Sequence, residues 1–401
     1  MNKIFHKIHL WFSVPFGIII TLICFSGAML IFEPEITRAV KSDVYYVTEV
    51  KETAIPIGEL MESVKSTLPD SVSITGVTVF ADKERTYQVN LSKPRRASLF
   101  VDQYSGRITG KYERIGFFST MFKLHRWLLD SANPHGEGVK VGKLLVGIST
   151  LMFVIALITG IIIWWPRVRK VGLRRGLSIS FANGWPGFWK GLHVAGGMYA
   201  VILVLAMALT GLTWSFDWYR TAFYAVCGVE HTPRNFGQTT QPMNDKAEYR
   251  GEKHRGRGHN HGEGRRSRGG EGRRHSEFGR WQQVYDELSA NNPEAPQITI
   301  GPETATVTLG DMGNGRASDR YQFNRRSGEV SIATAYSDAT GADKLRGWIY
   351  SIHTGSLGGI LTRILWLLGA LLGASLPLTG YYIWLKRLRM KGKKTHNCQS
   401  R

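Results

Sequence analysis

Acidic residues are scarce in this chain. Its 401 residues carry 31 Asp and Glu against 51 Lys and Arg, a formal net charge of +20. Cysteine is scarcer still: Cys24, Cys227 and Cys398 stand far apart with no CxxC, which excludes a cysteine-ligated zinc site or iron–sulfur cluster. No G-x-G-x-x-G follows a strand and no flavin-binding pattern occurs, so neither nicotinamide nor flavin has a motif here. Charge of either sign is nearly missing from four stretches, residues 10–32, 142–165, 192–216 and 357–385. Each is close to the ~20 apolar residues needed to cross a bilayer. An integral membrane protein is expected, with a polar remainder that brings the average hydropathy down. The first stretch follows Lys3 and Lys7 as a signal peptide would, but its apolar core is too long for one and reads as a retained helix.

The positive charge is distributed as membrane topology requires. It collects in short segments: residues 1–9, a basic loop at 166–191 containing "PRVRKVGLRRG", and a tail at 386–401 that continues "LKRLRMKGKK". The positive-inside rule places all three in the cytoplasm, with both termini inside and four crossings between them. The long connections, 33–141 and 217–356, then lie outside. No basic helix interleaved with aromatics is left over, so nucleic acid is not an expected partner.

The two halves match. "LITGIIIWWPR" at 157–167 and "PLTGYYIWLKR" at 377–387 share T-G-x-x-I-W-x-x-R, and "HLWFSVPFGIIITLICFSG" from His9 aligns without a gap on "HVAGGMYAVILVLAMALTG" from His193. Each connection contains a helical run followed by alternating strands and a turn at Ser105-Gly106 or Ser327-Gly328. The expected fold is therefore a bundle of four transmembrane helices with two extracytoplasmic α+β modules, internally duplicated. Residues 245–279, rich in Gly, Arg and His, interrupt the second module and read as a disordered insertion whose histidines could bind metal weakly.

Four histidines sit near helix mouths: His9 and His193 on the cytoplasmic side, His125 and His353 on the outer side. Two imidazoles at each face are the axial set for two haems; bis-imidazole ligation leaves no open coordination site and suits electron transfer. Gly196, Gly197, Gly355 and Gly358 offer small surfaces for a flat ring, and Arg126 and Arg363 are possible partners for haem propionates. His6 lies three residues before His9, and His135 competes with His125 for the helix-two role. The spacing from His125 to Thr159 is 34 residues and from His353 to Thr379 is 26, so the helix-two ligand is expected on a short surface helix.

These motifs resemble the PepSY-associated transmembrane family, which includes inner-membrane ferrisiderophore reductases and iron-regulated membrane proteins. The matching residues are the four histidines, the endings Thr159-Gly160 with Trp164 and Thr379-Gly380 with Trp384, and the strand-turn "VDQYSGRI". The resemblance implies two periplasmic PepSY modules, two haem b groups and a bacterial inner-membrane location. It implies that electrons pass from a quinol or cytoplasmic reductase to a periplasmic acceptor, with a ferric siderophore reduced to release Fe(II). Two alternatives remain open: a membrane-anchored PepSY protein that inhibits or chaperones a peptidase, and a cytochrome-b partner of another periplasmic oxidoreductase.

Overall fold

The computed structural model describes residues 2–94, 96–130, 141–230, 277–310 and 313–399. Helices α1 (Asn2–Ser13) and α2 (Gly17–Leu30) lead into the short α3 (Glu33–Val40) and α4 (Ser42–Tyr45). Then come α5 (Ile57–Ser66) and strands β1 (Ile74–Phe80), β2 (Tyr87–Leu91), β3 (Ser98–Val101) and β4 (Ile108–Lys111). After them α6 (Gly116–Trp127) precedes the long α7 (Val141–Val171) and α8 (Leu173–Gly176). The second half runs α9 (Gly184–Gly191), a π-helical turn Leu192–Gly196, α10 (Gly197–Ser215), α11 (Asp217–Val226) and α12 (Trp281–Asn291). It continues with β5 (Gln297–Ile300), β6 (Thr304–Thr308), β7 (Ser318–Phe323) and β8 (Val330–Thr334), then α13 (Gly341–Thr354) and α14 (Gly359–Gln399).

Three helical runs, Val141–Lys170, Gly184–Ser215 and Ser356–Met390, are long and apolar enough to cross a membrane. A fourth candidate is the pair Lys3–Ser13 and Gly17–Leu30, bent by 66°. The expected straight span over 10–32 is thus broken. Pro15 lies at the break, where its ring and missing N–H interrupt the helical ladder. The freed Val14 carbonyl accepts from the Tyr381 hydroxyl at 2.5 Å, and the Tyr381 ring lies where a side chain on Gly17 would be. In the bundle α2 packs on α14, α10 on α14 and α7, and α1 on α7.

The outer segments do not form two separate modules. All eight strands make one antiparallel sheet in the order β4-β3-β2-β1-β5-β6-β7-β8. Its seam pairs Val77 with Ile300, Thr78 with Thr299 and Val79 with Ile298, and the two threonine hydroxyls lie 2.9 Å apart. Side chains alternate along each strand, so Val77, Val79, Val89, Ile298, Ile300 and Val307 share a face with Ile57, Leu60 and Val64 of α5 and Trp281, Val284 and Leu288 of α12. One core results. Joining β1 to β5 gives each half-sheet a partner for an edge that would otherwise expose unpaired backbone groups.

Residues 245–276 of the expected insertion fall outside the described residues, as does His135. Its last three residues are a correction. Phe278 is fully buried, packs edge-on to Trp281 at 4.9 Å and belongs to the shared core, while Glu277 pairs with Lys65 at 2.9 Å. A lone aromatic at the end of a Gly/Arg/His run does not show a hydrophobic pattern until its partners are known.

Candidate functional site: two histidine pairs seated by one rule

None of the four candidate histidines is simply at the mouth of a long straight helix. His9 is on α1, ahead of the bend, and His193 is in the π-helical turn before α10. His125 is on the 12-residue α6, and His353 is on the 14-residue α13. The chain reverses from α13 into α14 through Gly355 and Gly359, both at positive φ where a side chain is strained. The longer spacing after His125 falls between α6 and α7.

Each ring docks on a neighbouring long helix in the same way. His9 Nδ1 lies 3.0 Å from the Ala156 carbonyl and 3.2 Å from Thr159 Oγ1. His193 Nδ1 lies 3.0 Å from both the Leu376 carbonyl and Thr379 Oγ1. His353 Nδ1 lies 3.0 Å from the Met207 carbonyl and 3.2 Å from Thr210 Oγ1. His125 Nδ1 lies 2.9 Å from the Ile23 carbonyl, three residues before Ser26. Each of these four hydroxyls also donates back to the carbonyls three and four residues earlier. A carbonyl can only accept, so Nδ1 carries the proton and donates, and Nε2 keeps its lone pair. Among the described residues Nε2 has no hydrogen-bond partner.

The glycine after each hydroxyl makes room for the ring. A Cβ on Gly27 would stand 2.8 Å from His125 Cε1, and one on Gly211 would stand 3.1 Å from His353 Cε1. At Gly380 and Gly160 the distances to the His193 and His9 Cε1 atoms are 3.3 and 3.6 Å. The glycines singled out from sequence have other duties. Gly196 and Gly197 face Leu192, Leu372 and Leu376, and Gly355 turns beneath the Trp366 ring. The hydroxyl-glycine pairs recur on α2, α7, α10 and α14, as many times as the histidines do. That equality was the available signal for the seats; their use as alignment markers alone missed it.

The rings then meet across the halves. His9 and His193 have centroids 6.3 Å apart with planes at 80°, and His125 and His353 have centroids 6.0 Å apart with planes at 52°. A metal held between two imidazole nitrogens at about 2.0–2.1 Å from each leaves the centroids about 6 Å apart. Among the described residues no cluster of three or more His, Cys, Asp or Glu is placed to hold a metal ion. Two nitrogens are too few for a bare zinc or calcium ion, which takes four or more protein and water ligands. Two imidazoles are the number of protein ligands that a bis-histidine haem takes. The donor set fits that group.

The pairs lie at opposite ends of the bundle. His193, in the π-helical turn that leads into α10, and the Thr210 seat of His353 on α10 are separated by 17 residues of helix, about 25 Å. The His125–His353 pair is on the sheet side, where Gly315 N donates to Ser351 of α13 at 3.0 Å. The other pair is on the far side, toward Arg169, Arg174 and Arg175.

The two candidate arginines differ. Arg363 is not available for a propionate: it grips Glu35 with both terminal nitrogens, at 2.5 and 2.8 Å, and also donates to the Ile31 carbonyl. Glu33 is gripped likewise by Arg114 at 2.5 and 2.6 Å, so α3 is tied down twice. Burial works against the charged form of Glu35, but the Arg363 hydrogen bond and charge, with Arg38, outweigh it and hold the carboxyl below the usual range. Arg126 has no ion pair among the described residues; its guanidinium lies 5.6 Å from the Phe122 and Trp127 ring centroids.

The PepSY-associated TM region matches residues 6–387. The chain belongs to the PepSY-associated transmembrane family. That span runs from α1 through the seats of all four histidines to the end of the "IWLKR" segment of α14, so helices and sheet fall within one family unit. No curated protein matches this PepSY-associated protein.

Proposed function

We propose that this PepSY-associated protein crosses the bacterial inner membrane four times as two copies of one helix–module–helix unit. In this reading it carries electrons from the cytoplasmic to the periplasmic face, where they reduce a ferric siderophore and release Fe(II). The observation that carries the reading is the common seating of four histidines, each with Nδ1 tied to a carbonyl and Nε2 without a hydrogen-bond partner among the described residues, in two pairs with ring centroids 6.3 and 6.0 Å apart. His9 with His193, and His125 with His353, would each hold one haem b, which supplies reversible one-electron transfer when bound. The carbonyl and hydroxyl partners hold each ring in one tautomer and orientation, as outer partners of metal-bound histidines do. The glycine seats let the rings lie flush on the helices, and the apolar side chains between the pairs, among them Phe153, Leu157, Val201 and Val204, keep water from the intervening space. Basic Arg169 and Lys170 in the last turn of α7 and Arg174 and Arg175 in α8, a further ten residues or more along the chain from the Thr159 seat, support placing that end in the cytoplasm.

The test is a reduced-minus-oxidised spectrum of purified protein with haem quantified per chain, followed by anaerobic reduction of a ferric siderophore. Two haems per chain and Fe(II) release are expected. Absence of haem would favour the binding or peptidase-regulating alternative, and haem without ferric reduction would favour a cytochrome-b partner of another enzyme.

A further inference from the structure

The two histidine pairs are built by one rule, so any difference in redox potential between them must come from what surrounds them. Two differences stand out, both on the sheet side. One turn beyond each seat lies Leu30, Ile163, Trp214 or Ile383, and only Trp214 is aromatic. Its indole meets the His353 ring edge-on with centroids 5.0 Å apart. The residue following each histidine is Leu10, Arg126, Val194 or Thr354, and only Arg126 is charged. Arg126 stands next to His125 on α6, His125 faces His353 with centroids 6.0 Å apart, and no carboxylate among the described residues pairs with Arg126. On the far side the chain neighbours of the rings are uncharged: Ile8 and Leu10 around His9, and Leu192 and Val194 around His193.

We infer that Arg126 and Trp214 raise the redox potential of the sheet-side site above that of the far-side site, and so set the outward direction of electron flow. This rests on the two-haem reading above. Oxidation adds one positive charge to a bis-imidazole iron centre. A fixed guanidinium nearby disfavours that added charge by direct repulsion. An indole against the axial ligand displaces water that would stabilise it. Both effects hold an electron more tightly on the sheet side, so an electron arriving at the far-side site moves toward the sheet.

The experiment is a potentiometric titration of the holoprotein followed by difference spectroscopy, with His353→Ala and His9→Ala used to assign the two components. The sheet-side component is expected to titrate at the higher potential. Arg126→Gln should lower it alone, by about tenfold in electron partition, or about 59 mV for a one-electron couple, while Arg126→Lys should keep the wild-type value. Trp214→Leu, which installs the aliphatic type found at the other three positions, should lower it by less. Equal potentials, a higher far-side potential, or an Arg126→Gln protein with both haems and unchanged potentials would overturn the inference while leaving the haem reading intact. Should Arg126→Gln fail to fold, Trp214→Leu alone decides, an unshifted sheet-side component counting against the inference. A wild-type protein with no haem would overturn both.

Discussion

The sheet and the helix bundle each join the two halves of the chain, by different means. In the sheet the joint is a seam of backbone hydrogen bonds between β1 and β5, with one threonine pair at its centre and a common apolar core to one side. In the bundle the halves meet through side chains, His9 facing His193 and His125 facing His353. Backbone pairing accepts many side chains, whereas an imidazole with a fixed tautomer against a glycine accepts very few. The sheet should therefore absorb substitutions gradually, and the histidine sites should lose function in whole steps.

The largest effect is expected at the histidines. His125→Ala and His353→Ala should each remove the same haem and leave one, and His9→Ala and His193→Ala should each remove the other, read from haem-to-protein ratio and difference spectra. Gly27→Val, which brings a Cβ into the His125 ring, should reproduce the His125→Ala spectrum without touching a ligand. If His9→Ala and His353→Ala abolish the same spectral component, the contrast between the ends is lost.

Next is the shared core. Phe278→Ala should destabilise the sheet by about 3–5 kcal/mol through the cavity it leaves, seen as a lower midpoint of thermal unfolding. The detergent-solubilised variant should keep both haems at low temperature. Loss of haem in step with sheet stability would show that the two layers are one cooperative unit.

A smaller effect is expected from acid at α3. The Glu35 carboxyl is held below its ordinary value in the folded protein, so its contribution is complete above the unfolded value of about 4 and is lost as pH falls through the lowered folded value. The thermal midpoint should fall over that range, and Arg363→Gln should flatten the dependence. Smallest is the seam itself. In a double-mutant cycle of Thr78→Val and Thr299→Val the coupling should be about 0.2–1 kcal/mol, as for other cross-strand pairs.

What could be read from sequence follows the same divide. The apolar runs, the basic short loops and the grouping of His9 with His193 and His125 with His353 depend on periodicity, charge and matched spacing, all of which are local or repeat across the halves. The seam could not be read, because Ile298 and Val77 look alike as candidate edge residues whether their strands pair with each other or stay apart. Phe278 was hidden by the composition of the residues before it. The break at Pro15 was signalled by the proline, yet an unbroken apolar run outweighed it. Arg363 was read as a propionate partner because Glu35, which it grips, is 328 residues away in the chain.

The seats also order events during synthesis. His9 finds its carbonyl and hydroxyl on α7, within its own half, but the ring it faces is His193, and His193 is seated on α14 at Leu376 and Thr379. His125 has its seat on α2 early, yet waits for His353 on α13. The sheet-side pair can close once His353 has been made, because its seats on α2 and α10 come earlier, whereas the far-side pair waits for Leu376 and Thr379 on α14. A premature stop between His353 and Leu376 then leaves one pair with both its seats and the other with His193 unseated.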